Sequence, residues 1–178
     1  MMTDVIIIGG GPSGCAAALG LNRLGYRVVL CDQAKFPRDK VCGEFISPAA
    51  DPILKRLGVL DRIEALSPKR LKGVAISSYE GEEIVIDYPQ MPGMDARPTS
   101  LSVPRYELDA SFLLQVKQVG VEVLEQHKVT EFLFADGRVN GVSGLDESKT
   151  SFTLKAPLVI DAGGRNAISL RKMGLKNK

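Results

Sequence analysis

Gly9, Gly11 and Gly14 stand in the spacing G-x-G-x-x-G, and Asp32 follows eighteen positions after the last of them. Each glycine of that pattern has its own physical role: a tight turn, a backbone bare enough to meet a pyrophosphate, and close packing of a helix on a strand. An acid at that distance is placed to accept hydrogen bonds from a ribose diol. The implied chemistry is recognition of a dinucleotide. Competing glycine motifs fail on the same residues. The cluster carries no lysine followed by serine or threonine as a P-loop would, and Ser13 lacks the flanking G-x-S-x-G of a nucleophile elbow. The Asp32 carboxylate would also repel a 2′-phosphate, which argues against NADP in this site and leaves FAD and NAD.

Few other residues are equipped for chemistry. Arg105 lies at the start of a helical pattern, where a cation works against the local dipole; it either meets an anion or is a surface arginine in water. Cys42 is a thiol in the run Val41-Cys-Gly-Glu44, but nothing in the sequence reports a thiolate, and a buried cysteine is ordinarily a small apolar filler. Cys15 and Cys31 read as such fillers, and His127 has no partner at metal or acid–base spacing. Three cysteines without a CxxC pair, beside a single histidine, argue against a disulfide framework or a zinc site.

The glycine cluster needs a strand before it and a helix after it. The β-branched run ending at Ile8 suits a buried parallel strand, and Pro12 suits the first helical turn, where the free amides after it aim partial positive charge at an anion. Ala17, Leu21 and Leu24 recur at helical spacing, and Gly25 is placed to end that helix. A second strand, Arg27 to Cys31, then delivers Asp32 and Gln33.

A basic loop, Lys35 to Lys40, leads through 41–48 to a helix that Asp51 is placed to cap, with Pro52 at its first position and its end near Gly58. Alternation from Gly73 to Ile86, broken at Glu80-Gly81, predicts a hairpin, and Pro89 to Pro98 an irregular loop. A further helix from near Pro104 carries Leu108, Phe112, Val116 and Val119 on one stripe and stops at Gly120 before a strand, Val121 to Leu124. Lys128 to Ala135, Arg138 to Leu145 and Ser151 to Leu154 predict an antiparallel meander; Pro157 to Asp161 reads as a returning buried strand, followed by a short helix. The expected fold is α/β and Rossmann-like: a parallel sheet, a three-stranded antiparallel meander and a small inserted hairpin.

Size and charge set the outer bounds. With 178 residues, 44% of them hydrophobic and 25% charged, the chain suits one folded domain rather than two large ones or a disordered tract. Twenty-three basic residues against 21 acidic ones, scattered along the chain, give no electrostatic reason to expect nucleic acid as a partner. No apolar run approaches membrane-spanning length, and the pattern begins at Asp4, leaving no room for a signal peptide, so a cytoplasmic location is expected.

The order GGGPSG, Asp32-Gln33, FPRDKVCGEFISP, VPRYELDASFL and VIDAGGRN resembles the geranylgeranyl reductase-like branch of FAD-dependent oxidoreductases, relatives of the aromatic-ring flavin monooxygenases. The resemblance covers nearly the whole chain and favours FAD over NAD. It implies that the loop of Gly9, Gly11, Pro12, Ser13 and Gly14 holds the FAD pyrophosphate and that Asp32, with Gln33 beside it, holds the adenosine ribose. It further implies that Arg105 contacts the cofactor, a flavin phosphate being the anion it needs. Asp161 and Gly163 belong to the second cofactor signature. Val129 sits where such proteins offer backbone to the adenine, a position that a buried core valine would fill alike. The turn of Cys42 and Gly43 is implied to lie beside the flavin ring, where the Cys42 thiol is the candidate catalytic group, assisting reduction or protonation. The reductase branch often shows Cys-Gly-Gly, whereas this chain has Cys42-Gly43-Glu44, which weakens any claim for prenyl lipids over polyketides or aromatic acids. The implied activity is hydride transfer between a small-molecule substrate and FAD, with NAD(P)H as external reductant.

Members of that family also carry a later Gly-Asp signature for the ribityl chain and a substrate sheet over the flavin, and no Gly-Asp dipeptide occurs here. The expectation is a single FAD-binding domain over 1–178, truncated, with 73–100 an insertion belonging to an incomplete substrate domain. An uncovered sheet edge and an unpartnered hairpin would favour self-association or a carboxy-terminal partner chain. Weak flavin retention and little turnover are expected of these residues alone. The alternative is a non-catalytic fragment of a split or truncated flavoprotein that holds FAD, NAD or ADP.

Overall fold

A computed structural model describes residues 3–90 and 97–174. In chain order the elements are β1 (Val5–Ile8), α1 (Pro12–Arg23), β2 (Val28–Cys31), β3 (Phe45–Ile46), α2 (Asp51–Leu57), α3 (Leu60–Glu64), β4 (Lys69–Leu71), β5 (Gly73–Ser77) and β6 (Glu83–Asp87). They continue with β7 (Ser100–Ser102), α4 (Arg105–Gln118), β8 (Glu122–Leu124), β9 (Lys128–Ala135), β10 (Arg138–Leu145), β11 (Ser151–Lys155), β12 (Leu158–Asp161) and α5 (Ile168–Lys172). The chain divides into two units, Met1–Arg38 with Asp109–Lys178, and Asp39–Leu108.

In the first unit four parallel strands pair in the order β12-β1-β2-β8. The register sets Ile8 opposite both Cys31 and Asp161, so the residues after β1, β2 and β12 all leave from the same, carboxyl end of the sheet. That end is where open α/β sheets bind ligands. Ile6, Ile7, Leu30 and Cys31 are fully buried, as a strand covered on both faces requires. Strands β9, β10 and β11 form the expected antiparallel meander. A single core cluster joins Ile6, Val29 and Cys31 of the parallel sheet to Val129 and Val142 of the meander, with Ala156 and Ile168.

Helix α1 packs on β1 and β2 through Gly14, Cys15, Ala18 and Leu19, not through the stripe of Ala17, Leu21 and Leu24 that the spacing suggests. Leu24 is 74% exposed at the helix terminus, just before Gly25 at φ +86. The cause is local: a Cβ on Gly14 would lie 1.9 Å from the Gly9 carbonyl oxygen, and that close approach selects which face of the helix turns inward. On α4 the residues Leu108, Phe112 and Val116 are buried as expected, whereas Val119 lies past the last helical residue and is 39% exposed.

The second unit contains a small antiparallel sheet in the order β3-β7-β4 and the hairpin β5–β6, in which Val74 faces Ile86 and Ile76 faces Ile84. Strands of two or three residues have no periodicity to read, so β3, β4 and β7 leave no mark in the sequence pattern. Asp51 does not cap the following helix. It is the first residue of α2, its carboxylate accepts from Arg70 at 2.6 Å, and Arg70 also pairs with Glu64. The capping oxygen is that of Ser47, which accepts from the Ala49 N–H in the 3₁₀ turn just before α2. Gly58, left-handed at φ +74, ends α2 where expected. Most of the irregular loop expected over 89–98 lies outside the described residues.

The two glycines of α1 make the packing argument testable. Gly14→Ala, which drives a methyl into backbone, lowers stability by about 2–3 kcal/mol. Gly20→Ala, with nothing within 4 Å of the added methyl, raises it by about 0.5–1 kcal/mol. Urea unfolding of both variants checks this, and equal midpoints would contradict the packing described.

Candidate functional site

The site is built where β1, β2 and β12 end together. Strand β1 passes into Gly9, whose φ of +105 is open to glycine at little cost and whose N–H donates to the Cys31 carbonyl at 2.7 Å. A Cβ there would lie 2.6 Å from the Ala162 oxygen, so the loop after β12 rests directly on the first glycine. Ala162 N–H in turn donates to the Ile8 carbonyl at 2.8 Å. Gly11 precedes α1 in extended conformation and gives it no side-chain cap, and no acid occupies the first turn. Pro12 is the first helical residue and Ser13 follows it at the helix start. The leading amides of a twelve-residue helix are thereby left without a side-chain cap, at the positive end of its dipole.

Asp32 is 8% exposed at the end of β2. Its Oδ2 accepts from the Gly10 N–H at 2.6 Å and its Oδ1 from the Ala34 N–H at 2.8 Å. A carboxylate offers about four lone pairs, so two remain for further donors such as ribose hydroxyls. Gln33 is exposed in the turn that follows. Asp161 ends β12 in the same manner: its Oδ1 accepts from the Gly163 N–H at 3.0 Å and its Oδ2 from the Ser169 N–H, at the start of α5, at 2.7 Å. Ser13, Asp161, Ala162 and Ser169 help to line a cleft of about 460 Å³.

Four residues that sequence reasoning does not assign to the site join these. Gly10 supplies the N–H that orients Asp32. Arg38 places Nη1 3.2 Å from the Asp109 carboxylate and Nη2 3.9 Å from that of Asp32, with the guanidinium 4.7 Å from the centre of the Phe36 ring. Asp109, on α4, is completely buried. A signal for it exists: an acid flanked by Leu108 and Phe112 lies on the buried stripe, where a charge needs a partner. Arg38 is visible in the sequence only as one cation in a basic loop. Cys15 donates its S–H to the Gly10 carbonyl, and burial pushes the Cys15 and Cys31 thiols up to about 12, which leaves both as protonated core residues. The Val129 side chain belongs to the core cluster.

The structure thus gathers Gly9, Gly11, Pro12, Ser13, Gly14, Asp32, Asp161 and Gly163 at one end of the parallel sheet. Cys42, Gly43 and Arg105 belong to the other unit. There the exposed Cys42 thiol is held below the usual thiol range, first by the Glu44 N–H and then by hydrogen bonding to the Arg105 guanidinium, while a Cβ built on Gly43 would meet open space. Because the thiolate is the reactive form, iodoacetamide should modify Cys42 well ahead of Cys15 and Cys31 near neutral pH. Arg105→Gln removes one of the groups favouring the anion, so Cys42 alkylation at neutral pH slows, and the two rates converge once pH exceeds both thiol pKa values. Peptide mapping of alkylated protein across pH measures this, and superimposable profiles for the two proteins would refute the Arg105 contact.

Comparison with known proteins bears on the chain as a whole. The model of the family described as FAD binding domain matches residues 2–178. A menaquinone reductase of Mycolicibacterium smegmatis is 34% identical over 93% of this chain and 38% of its own length. A tryptophan 2-halogenase of Chondromyces crocatus is 32% identical over 92% of this chain and 30% of its own. Among solved structures, a flavoprotein/dehydrogenase from Cytophaga hutchinsonii superposes with a TM-score of 0.85 at 25% identity, over 98% of this chain and 42% of that one. The chain therefore spans well under half the length of these relatives.

Proposed function

The chain belongs to the FAD-binding-domain family, and from that membership we propose that it is the cofactor-binding portion of an FAD-dependent oxidoreductase of reductase or monooxygenase type acting on a small molecule. The observation that carries the reading is the cradle at the end of β1. Glycines stand where side chains would collide with backbone, an uncapped helix start follows, and an acid with spare lone pairs lies on the neighbouring strand end.

In this reading the backbone of Gly9 to Gly14, with Pro12 and Ser13, receives the FAD pyrophosphate, and Asp32, flanked by Gln33, accepts from the adenosine ribose. Asp161 and Gly163 shape the second cofactor loop, Val129 offers backbone to the adenine, and Arg105 with the Cys42-Gly43 turn serves the flavin end. Bound FAD supplies the redox chemistry, and the protein supplies binding, orientation and exclusion of water. NAD(P)H is proposed as the external reductant and the cytoplasm as the setting. No helix among the described residues is long and apolar enough to cross a membrane.

The substrate-facing part of the enzyme is proposed to be completed by further sequence, a partner chain or a second copy. Supporting this, β5 and β6 pair only with each other among the described residues and expose Val74, Ile76, Ile84, Val85 and Ile86. Such an unpaired apolar hairpin is marginal on its own and suits an incomplete sheet.

The test is spectroscopic. Purified protein titrated with FAD should quench flavin fluorescence saturably, and Asp32→Ala should weaken that binding by about 1.5–3 kcal/mol through loss of charge-assisted hydrogen bonds. A protein that binds neither FAD nor ADP would overturn the reading. Unchanged affinity in the variant would overturn the ribose assignment alone.

A further inference from the structure

Arg38 lies outside the glycine fingerprint, yet among the described residues its Nη2 is the heavy atom that a Cβ built on Gly11 would meet, at 3.7 Å. Gly11 is the residue whose bareness admits a pyrophosphate to the start of α1. We infer that Arg38 is a phosphate-contacting residue of the dinucleotide site, held over the second glycine by the buried carboxylate of Asp109. The inference rests on the FAD-site reading above and adds to it a residue that lies outside the glycine motif.

The geometry supports a preset cation. Nη1 faces the fully buried Asp109 at 3.2 Å, Nη2 is 3.9 Å from Asp32, and the guanidinium lies over the Phe36 ring, so the group is fixed on three sides and its side chain is only 19% exposed. A guanidinium has five N–H donors in a rigid fork, and one carboxylate at 3.2 Å with another at 3.9 Å leaves donors for an anion. Two positive features then converge, the leading amides of α1 and the Arg38 fork. In the protein alone they repel one another, and an anion between them removes the repulsion. Asp32 and Asp109 are the acids facing Arg38, so the local charge is net negative without it, and a pyrophosphate entering beside Asp32 depends on this arginine to be tolerated. Asp109 acts through Arg38 and is a positioning residue.

The test separates phosphate recognition from nucleoside recognition. Binding of ADP, adenosine and FAD is measured by calorimetry on the unaltered chain, Arg38→Gln and Arg38→Lys, with circular dichroism melts to verify folding. Arg38→Gln is expected to weaken ADP and FAD by roughly tenfold or more while adenosine changes by less than about twofold. Arg38→Lys, which keeps the charge and loses the fork, should fall between. If Arg38→Gln does not fold, the same selective loss of ADP over adenosine is required of Arg38→Lys. Equal weakening of ADP and adenosine would mean that Arg38 acts only through Asp32 or the loop, and unchanged ADP affinity would remove it from the site; either overturns the inference. An unaltered chain that binds neither ADP nor FAD would overturn the FAD-site reading itself, and this inference with it.

Discussion

The contact on which the rest depends is between the Gly9 carbonyl and the α-carbon of Gly14. A methyl on Gly14 would sit 1.9 Å from that oxygen, so the first turn of α1 can approach the end of β1 only because Gly14 lacks a side chain. Once the helix starts that close to the strand, its leading amides point out over the carboxyl end of the sheet, and the Ala162 loop settles on Gly9 from the other side. The parallel register then brings Asp161 level with Ile8 and Asp32 one residue further on, on either side of β1. A single steric allowance thus determines where three loops meet.

Electrostatics fill in what sterics leave open. Asp32 and Asp161 each engage both oxygens with nearby backbone N–H groups, and the fully buried Asp109 faces a guanidinium. Charges so enclosed are tolerable because they are hydrogen-bonded or paired; unpaired, each would cost several kcal/mol. The network therefore fixes loop conformation before any ligand arrives. It also sets the local charge: the amide end of α1 and the Arg38 guanidinium are positive, and the Asp32 carboxylate is negative.

The parallel sheet, the meander, the hairpin and the glycine site are legible in the sequence because each rests on a strong local rule. β-branched runs, Asp136-Gly137 and Glu80-Gly81 turns, and the G-x-G-x-x-G spacing are readable without tertiary context. What the sequence does not display is decided by contacts between distant residues. The inward face of α1 follows from Gly14 touching Gly9, which no hydrophobic stripe reports, so Leu24 looks like a core residue and is not one. Asp51 resembles a cap by type and position, but Arg70, nineteen residues on, takes its carboxylate. The Arg38–Asp109 pair joins residues far apart in the chain, and only the acid on the apolar stripe of α4 hints that a cation must come to it.

Asp32 and Asp161 show why a signature acid is poorly described as a ligand contact alone. In both, the carboxylate first accepts from N–H groups of the loop it belongs to or faces, and only the remaining lone pairs are free for a bound molecule. Asparagine at either position would keep one acceptor but turn an NH₂ toward a backbone donor, so an apparently isosteric change would disturb the loop as well as the charge. The two acids differ in reach. Asp161 ties the loop after β12 to the start of α5 across eight residues, whereas Asp32 ties the glycine turn to the end of β2 across 22. The longer tie links the two strand ends of the βαβ unit. Asp32 therefore couples its remaining acceptor sites to the geometry of the glycine loop, so that a change at this one residue reaches both strand ends.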